Sequence, residues 1–311
     1  MPAPVITEIA TGLRFPEGPI AFADGSVVLV EIARGTLTRV AADGTLSVIA
    51  ELGGGPNGAA MGPDGACYVC NNGGFVWHER DGRLYPGEQP ADYSGGRIER
   101  VDLETGAAEV LYDSCDGRPL RGPNDIVFDA DGGFWFTDHG KTRPRERDRT
   151  GVFYAHADGS AIEEKIFPLE GPNGIGLSAA EDELYVAETP TGRLWAWRLE
   201  GPGKLAGGQG DRPDGGRLLP APPGHLLFDS LAVDAAGRVC VATILQGGIS
   251  IIDPAGGTAE HLPLPDIVTT NICFGGPELK TAYATLSSTG KLVSFPWPEG
   301  GLPLNFLNKQ A

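Results

Sequence analysis

Basic residues are scarce in this chain: 24 Lys and Arg face 41 Asp and Glu across 311 residues, a formal charge of −17. That balance argues against nucleic-acid binding, which needs a basic face to neutralise phosphates, and it suits solubility and cation binding. Long apolar runs are missing too. No stretch approaches the ~20 residues of a membrane-spanning helix. The opening MPAPVITEIATG has neither the basic nor the apolar region of a secretory leader. Cysteine is sparse and odd in number, at 67, 70, 115, 240 and 273, which does not fit a disulfide framework and points to a reducing cytoplasm. Cys67 and Cys70 have redox or zinc spacing but lie in a strand-like run with no second ligand pair nearby, so both are read as small buried hydrophobes. The five histidines, at 78, 139, 156, 225 and 261, show no HExxH spacing. There is no G-x-S-x-G elbow, no Walker-type phosphate loop and no long amphipathic helical periodicity, which argues against a doubly wound fold and a dinucleotide cofactor.

Turn-formers are abundant instead, with 47 Gly and 26 Pro, while 41% apolar residues in short runs leave material for a core. One pattern recurs six times: RFPEGPIAFADGSVVLVE, GGPNGAAMGPDGACYVCN, RGPNDIVFDADGGFWFTD, GPNGIGLSAAEDELYVAE, LFDSLAVDAAGRVCVAT and TTNICFGGPELKTAYAT. Each copy holds a polar anchor, an apolar-rich run, a turn and a second strand-like run. The anchors are Glu17, Asn57, Asn124, Asn173, Asp229 and Asn271, and in four copies a glycine follows eight residues later, at 25, 65, 132 and 237. The other two copies fit with a slightly longer turn. Anchor spacings of 40, 67, 49, 56 and 42 residues match propeller blades of several short strands each. The expected fold is all-β: one domain over 1–311, a six-bladed β-propeller of four-stranded antiparallel blades. The last unit supplies only three strands, so the N-terminal VITEIA is expected to complete it and close the ring.

In a propeller the first strand of each blade lines the central channel, so six residues in one phase converge on one axis. A lone Asn-Gly would be read as a turn; six in-phase polar anchors, two of them acidic, point to a ligand. Carboxylates from Glu17 and Asp229 with amide oxygens from Asn57, Asn124, Asn173 and Asn271 form an all-oxygen set. Such a set suits calcium, which accepts 6–8 irregularly placed oxygens. Zinc, magnesium and manganese are the alternatives.

The motifs E-G-P, P-N-G, G-P-N-D, FTD, G-P-N-G-I-G-L and TNICFGG, in this order along essentially the whole chain, resemble the SMP-30/gluconolactonase/luciferin-regenerating-enzyme-like family of six-bladed propellers. The resemblance implies a divalent ion held by Glu17, Asn124, Asn173 and Asp229, with Asn57 and Asn271 beside it facing substrate. Many members carry Asp-Gly in the fifth motif; this chain has Asp229-Ser230, a form similar to that of some bacterial drug-responsive lactonases. Some lactonases place a substrate arginine two residues before the third-motif Asn; here Arg121 stands three before it, as a substrate contact or a surface salt bridge.

The resulting expectation is a metal-dependent hydrolase of a lactone, namely a sugar-acid lactone such as gluconolactone, with Asp229 as general base or nucleophile. A phosphotriester or ester hydrolase on the same metal, and a non-catalytic calcium- or ligand-binding propeller, are the competing functions. His139 is either a loop residue or a substrate hydrogen-bond donor. Trp77 and Trp135 belong to the pocket or the core. The basic run KTRPRERDR, residues 141–149, reads as a solvated loop or a gate. The long insertion after the second copy, about 20 residues beyond a minimal blade, is expected to cover the site or join a subunit contact. The partner is a small molecule; the sequence says nothing of oligomeric state.

Overall fold

The computed structural model describes residues 4–309. Six antiparallel sheets follow one another round an axis, each innermost at the strand that carries an anchor: Pro16–Ala21, Pro56–Met61, Pro123–Phe128, Pro172–Leu177, Leu227–Val233 and Thr269–Gly275. The chain is a six-bladed β-propeller. Thr7–Ala10 pairs antiparallel with Lys291–Pro296, Thr7 opposite Ser294 and Glu8 opposite Val293, so the N-terminal strand closes the ring as its apolar alternation predicts.

Blade four departs from the four-strand plan. Its third strand, Arg193–Gly201, pairs outward with two short pieces, Lys204–Leu205 and Arg217–Leu218. The glycine-rich excursion between them folds back on the blade, where Trp197 Nε1 donates to Asp214 Oδ1 at 3.1 Å and Arg212 pairs with Asp214 at 2.8 Å.

The second strand of each blade is buried on both faces, and its alternating side chains feed two different cores. Val28 and Val30 pack toward blade two while Val27 and Leu29 pack toward blade six. Trp135 lies in the core between blades three and four, whereas Phe134 and Phe136 face blade two. Cys67 and Cys70 divide in the same way and are free, buried thiols. Six such inter-blade cores hold the ring, each aliphatic side chain contributing about 1.5–3 kcal/mol when fully buried.

The glycine eight residues after each of four anchors closes the first hairpin in the left-handed region, with φ of 84° at Gly25, 77° at Gly65, 87° at Gly132 and 80° at Gly237. In blades four and six the turn is longer, as expected, yet the eighth residue keeps the same conformation without being glycine: φ is 57° at Glu181 and 54° at Leu279.

Glycine beside the anchor has a different reason. Proline-Asn-Gly here is strand, not turn: Pro172, Asn173 and Gly174 all lie in the inner strand of blade four. A Cβ at Gly174 would stand 2.6 Å from the Asp229 carbonyl oxygen and 2.7 Å from the Leu231 nitrogen; one at Gly18 would stand 2.8 Å from the Ala59 nitrogen. Neighbouring inner strands touch through these glycines. Gly174→Ala is therefore expected to lose about 1–3 kcal/mol of stability by overpacking, read as a lowered midpoint in thermal or urea unfolding; an unchanged midpoint would refute the close approach.

Candidate active site at the anchor end of the channel

Each inner strand slips register at its anchor: the pairing with the second strand is interrupted between Glu17 and Ile20, Pro56 and Ala59, Pro123 and Ile126, Pro172 and Ile175, Phe228 and Leu231, and Thr269 and Asn271. A bulge re-aims side chains that strict alternation would send to the wrong face. Its entrance is pinned by the last residue of the second strand. Glu31 Oε2 accepts from Arg14 N at 2.7 Å, Asn71 Oδ1 from Gly55 N at 2.9 Å, Asp138 from Arg121 N and Gly122 N at 2.7 Å each, and Glu188 Oε1 from Glu170 N at 2.8 Å.

All six anchors are buried, at 2–8% exposure. Glu17 Oε2 accepts from its neighbour Gly18 N at 2.7 Å and from Asn271 Nδ2 at 2.8 Å, while Asn271 Oδ1 accepts from Ile272 N at 2.7 Å. Asn271 is thereby committed at both ends of its amide and acts as a support for Glu17. Asn173 Nδ2 donates to Thr189 Oγ1 at 3.0 Å, and its Oδ1 accepts from Ser230 Oγ at 3.4 Å. Serine in place of the commoner glycine thus contributes a donor beside the fourth anchor. Asn124 Oδ1 is sealed from solvent with no donor. The Asn57 side chain has no hydrogen-bond partner among the described residues.

The carboxylates repel. Burial raises Glu17 to about 7 against the opposing help of its hydrogen bonds, and burial followed by the Glu17 charge raises Asp229 well above the usual carboxylate range. Asp125 joins them: burial and Glu17 push it to about 8. Simple alternation puts Asp125 off the channel, one step from Asn124; the bulge brings it in, and the chain has Asp there where blades one, two and four have Gly18, Gly58 and Gly174. Among the described residues no group of three or more His, Cys, Asp and Glu side chains is disposed to hold a metal, so any ion at the anchors depends on amide oxygens. Glu17, Asn124, Asn173 and Asp229 fit that need. Two buried carboxylates lack a counter-charge and a buried amide oxygen lacks a donor, and a hard cation would satisfy all three.

The long insertion sits at this end, because it follows the strand end paired with Pro56. It forms a hairpin, Trp77–Arg80 with Arg83–Pro86, that bridges distant blades: Leu84 N donates to Ser288 O at 2.9 Å and Gln89 N to Thr142 O at 2.9 Å. Trp77 packs on Phe15, with ring centres 5.0 Å apart, while Trp135 is wholly core. The basic segment is only partly a solvated loop, which corrects the sequence expectation. Lys141 is 1% exposed, with Nζ donating to Gly74 O at 2.6 Å and Asn72 Oδ1 at 3.2 Å and lying 3.9 Å from the Phe75 ring centre. An unpaired carbonyl and an aromatic face inside the insertion supply what solvent would otherwise provide. Burial lowers it to about 7, opposed by Asp138 and Asp148.

His139 is half-buried, and Arg147 Nη2 lies 3.0 Å from its Nε2. A guanidinium can only donate, so Nε2 accepts and the proton sits on Nδ1. Burial, then the Arg147 and Lys141 charges, lower His139 to about 3, which keeps the ring neutral at physiological pH. Arg121 is exposed at the entrance of blade three and forms no ion pair among the described residues. Below the anchors the channel becomes an apolar cavity of about 180 Å³, lined by residues such as Ile20, Ile126, Ile175 and Leu231, with Leu302, Leu304 and Leu307 of the C-terminal segment also on its wall.

With this geometry in view, the sequence profile described as SMP-30/Gluconolactonase/LRE-like region matches residues 15–288. The chain belongs to the SMP-30/gluconolactonase/LRE-like family. It is 27% identical over 305 residues to a gluconolactonase of Zymomonas mobilis, covering 87% of this chain and 76% of that protein. It is 26% identical over 205 residues to the diisopropyl-fluorophosphatase of Loligo vulgaris, covering 62% of this chain and 63% of that protein's length. The fold superposes on a solved gluconolactonase from Xanthomonas campestris with a TM-score of 0.73 at 23% identity, covering 94% and 89% of the two chains. No helix among the described residues is long and apolar enough to cross a membrane.

The raised carboxylates fix a pH dependence. A carboxyl whose folded pKa lies above its unfolded value binds its proton more tightly when folded. Its contribution favours folding below the unfolded value of 4.5 and is lost as pH rises through about 7 for Glu17. In metal-free protein, Glu17→Gln is expected to raise the unfolding midpoint over wild type at pH 8, by an amount on the order of 3 kcal/mol at most, and to have no such effect at pH 4. A variant less stable than wild type at pH 8 would contradict the electrostatics.

Proposed function

We propose that the chain is a divalent-cation-dependent hydrolase that opens a lactone to its hydroxy acid, with a sugar-acid lactone as substrate. One observation carries the reading: two buried, mutually repelling carboxylates, Glu17 and Asp229, stand at the same phase of the inner strands as Asn124, whose buried amide oxygen has no donor among the described residues. Glu17, Asn124, Asn173 and Asp229 would hold the cation, calcium being the best match to an all-oxygen set. When bound, the ion supplies Lewis-acid polarisation of the ring carbonyl.

The chain's own residues do the rest. Asn271 and Gly18 N hold Glu17, and Thr189 holds Asn173, so the donors are fixed before substrate arrives. Asp229, which a bound cation would keep ionised at neutral pH, accepts a proton from the attacking water. Water oxygen bonds to the carbonyl carbon, the ring C–O bond breaks, and the proton returns from Asp229 to the departing ring oxygen. The new carboxylic acid then ionises, releasing one proton per turnover. Asn57, with no hydrogen-bond partner among the described residues, would hydrogen-bond the substrate, and Arg121 stands at the entrance for the same use. His139, engaged by Arg147 and held neutral, is a support for that loop. The similarity to a fluorophosphatase favours a second reading, in which a phosphoryl centre takes the place of the carbonyl on the same residues.

Proton release at constant pH, from metal-stripped protein with a panel of aldonolactones, simple lactones and a phosphofluoridate, distinguishes the two. Calcium-dependent release with lactones is expected, and release with none of them would overturn the lactonase reading. Asp229→Asn is expected to lower kcat by about 10²–10⁴-fold while the unfolding midpoint stays within a few degrees; turnover within threefold of wild type would remove Asp229 from its role.

A further inference from the structure

Hydrogen-bond donors without acceptors gather one level above the cation ligands. Six half-buried arginines, Arg83, Arg97, Arg100, Arg143, Arg212 and Arg238, each hold a carboxylate within 4 Å, and a seventh, Arg39, donates to Ser26 Oγ at 3.1 Å and lies over the Phe22 ring. Arg147, equally half-buried, holds no carboxylate among the described residues. Its Nη2 meets only His139, its Nε is sealed from solvent without a partner, and its Nη1 makes no hydrogen bond. Two acids influence it, Glu170 and Glu188, but both are committed elsewhere. Glu188 accepts from Glu170 N and from Thr191 Oγ1 at 2.7 Å, and Glu170 pairs with Arg149 at 3.5 Å. In a chain of net charge −17, a half-buried guanidinium left without a counter-ion is a cost that a ligand would offset.

Asn72 repeats the situation on the other side of blade three. Its Oδ1 accepts from Gly74 N at 2.9 Å and from Lys141 Nζ at 3.2 Å, which fixes the amide orientation. Nδ2 is then a donor, buried and without an acceptor, in a residue 2% exposed.

The two groups are placed alike. In each G-P-N motif the glycine stands two residues before the anchor, and a side chain on it would collide with a loop group: Asn72 Oδ1 at Gly55, the Gly140 backbone at Gly122, and the Arg147 guanidinium at Gly171. Two residues of strand span about 7 Å. Asn72 and Arg147 therefore flank the entrance of blade three, one step above Asn57, Asn124 and Asn173.

We propose that Arg147 and Asn72 form a subsite for an anionic substituent, so that the preferred substrate is a lactone carrying a free carboxylate at a distance from its ring carbonyl. The substrate class rests on the lactonase reading above; the anion subsite itself does not. A guanidinium fork takes a carboxylate in two parallel hydrogen bonds, whereas a neutral hydroxyl takes one and leaves the charge uncompensated.

The test compares glucaro-1,4-lactone, which carries a carboxylate, with neutral glucono-1,4-lactone, and adds calorimetric titration of metal-stripped protein with the open dicarboxylate glucarate. Wild type is expected to favour the carboxylate lactone at least tenfold in kcat/KM. Arg147→Gln should raise KM for that lactone at least tenfold and change the neutral lactone less than threefold; Arg147→Lys, which keeps charge and loses the fork, should fall between. Glucarate binding should weaken at least tenfold in Arg147→Gln, with Asn72→Ala giving a smaller loss and the unfolding midpoints of the variants confirming that they fold. Equal effects on both lactones, or no wild-type preference, would overturn the substrate class. If neither lactone is turned over, calorimetry decides alone: Arg147-dependent glucarate binding upholds the anion subsite while the lactonase reading falls, and Arg147-independent or absent binding overturns the subsite.

Discussion

The whole anchor end depends on one backbone irregularity repeated six times: the bulge at the start of each inner strand. In a regular strand successive side chains alternate, and only one residue in two could face the axis. The register slips at Glu17, Asn57, Asn124, Asn173, Asp229 and Asn271 lift that restriction. In four blades the chain entering the bulged strand is pinned by the terminal side chain of the next strand. Glu31, Asn71, Asp138 and Glu188 accept hydrogen bonds from the N–H groups of Arg14, Gly55, Arg121, Gly122 and Glu170, just before the bulged strands. Glycine then lets the bulged strands close on one another, so a tight ring of oxygens forms without any long loop.

Such a ring is electrostatically uneasy by itself. Glu17, Asp125 and Asp229 sit buried at the anchors with no arginine or lysine paired to them among the described residues, and each is pushed toward its protonated form. Lys141 and Arg147 lie one layer out, on the loop between the second and third strands of blade three. Lys141 is spent in binding that loop to the insertion, and Arg147 is left with a histidine. The arrangement separates an inner negative ring, suited to a metal, from an outer positive rim, suited to an anion.

Blade count, strand order and ring closure were legible in the sequence because they follow from period and alternation, which repeat six times and reinforce each other. The anchors were legible for the same reason. Asp125 was not, since alternation puts it on the wrong face and only the bulge corrects that. Asn72, Arg147 and Lys141 lie in segments that occur once, so no internal comparison marks them. A run of five basic residues in nine reads as solvated unless the aromatic and carbonyl partners of Lys141, Phe75 and Gly74, are known to be adjacent. Glu31, Asn71, Asp138 and Glu188, which pin the strand entrances, end the runs VLVE, YVCN, FTD and VAE, but their task is a contact with backbone, which leaves no pattern of its own. Asn271 was read as facing substrate; the structure adds that it braces Glu17 through Nδ2.

The central claim is that the bulged strands build a single cation site from Glu17, Asn124, Asn173 and Asp229. The most direct measurement is anomalous diffraction from crystals soaked in a manganese or lanthanide salt, which marks a bound ion by its own scattering. The account predicts one strong peak on the channel axis within bonding distance, about 2.0–2.6 Å, of oxygens from all four side chains. A peak held by Asp125 and not by Asn124 and Asn173, or no peak at the anchors, would contradict it.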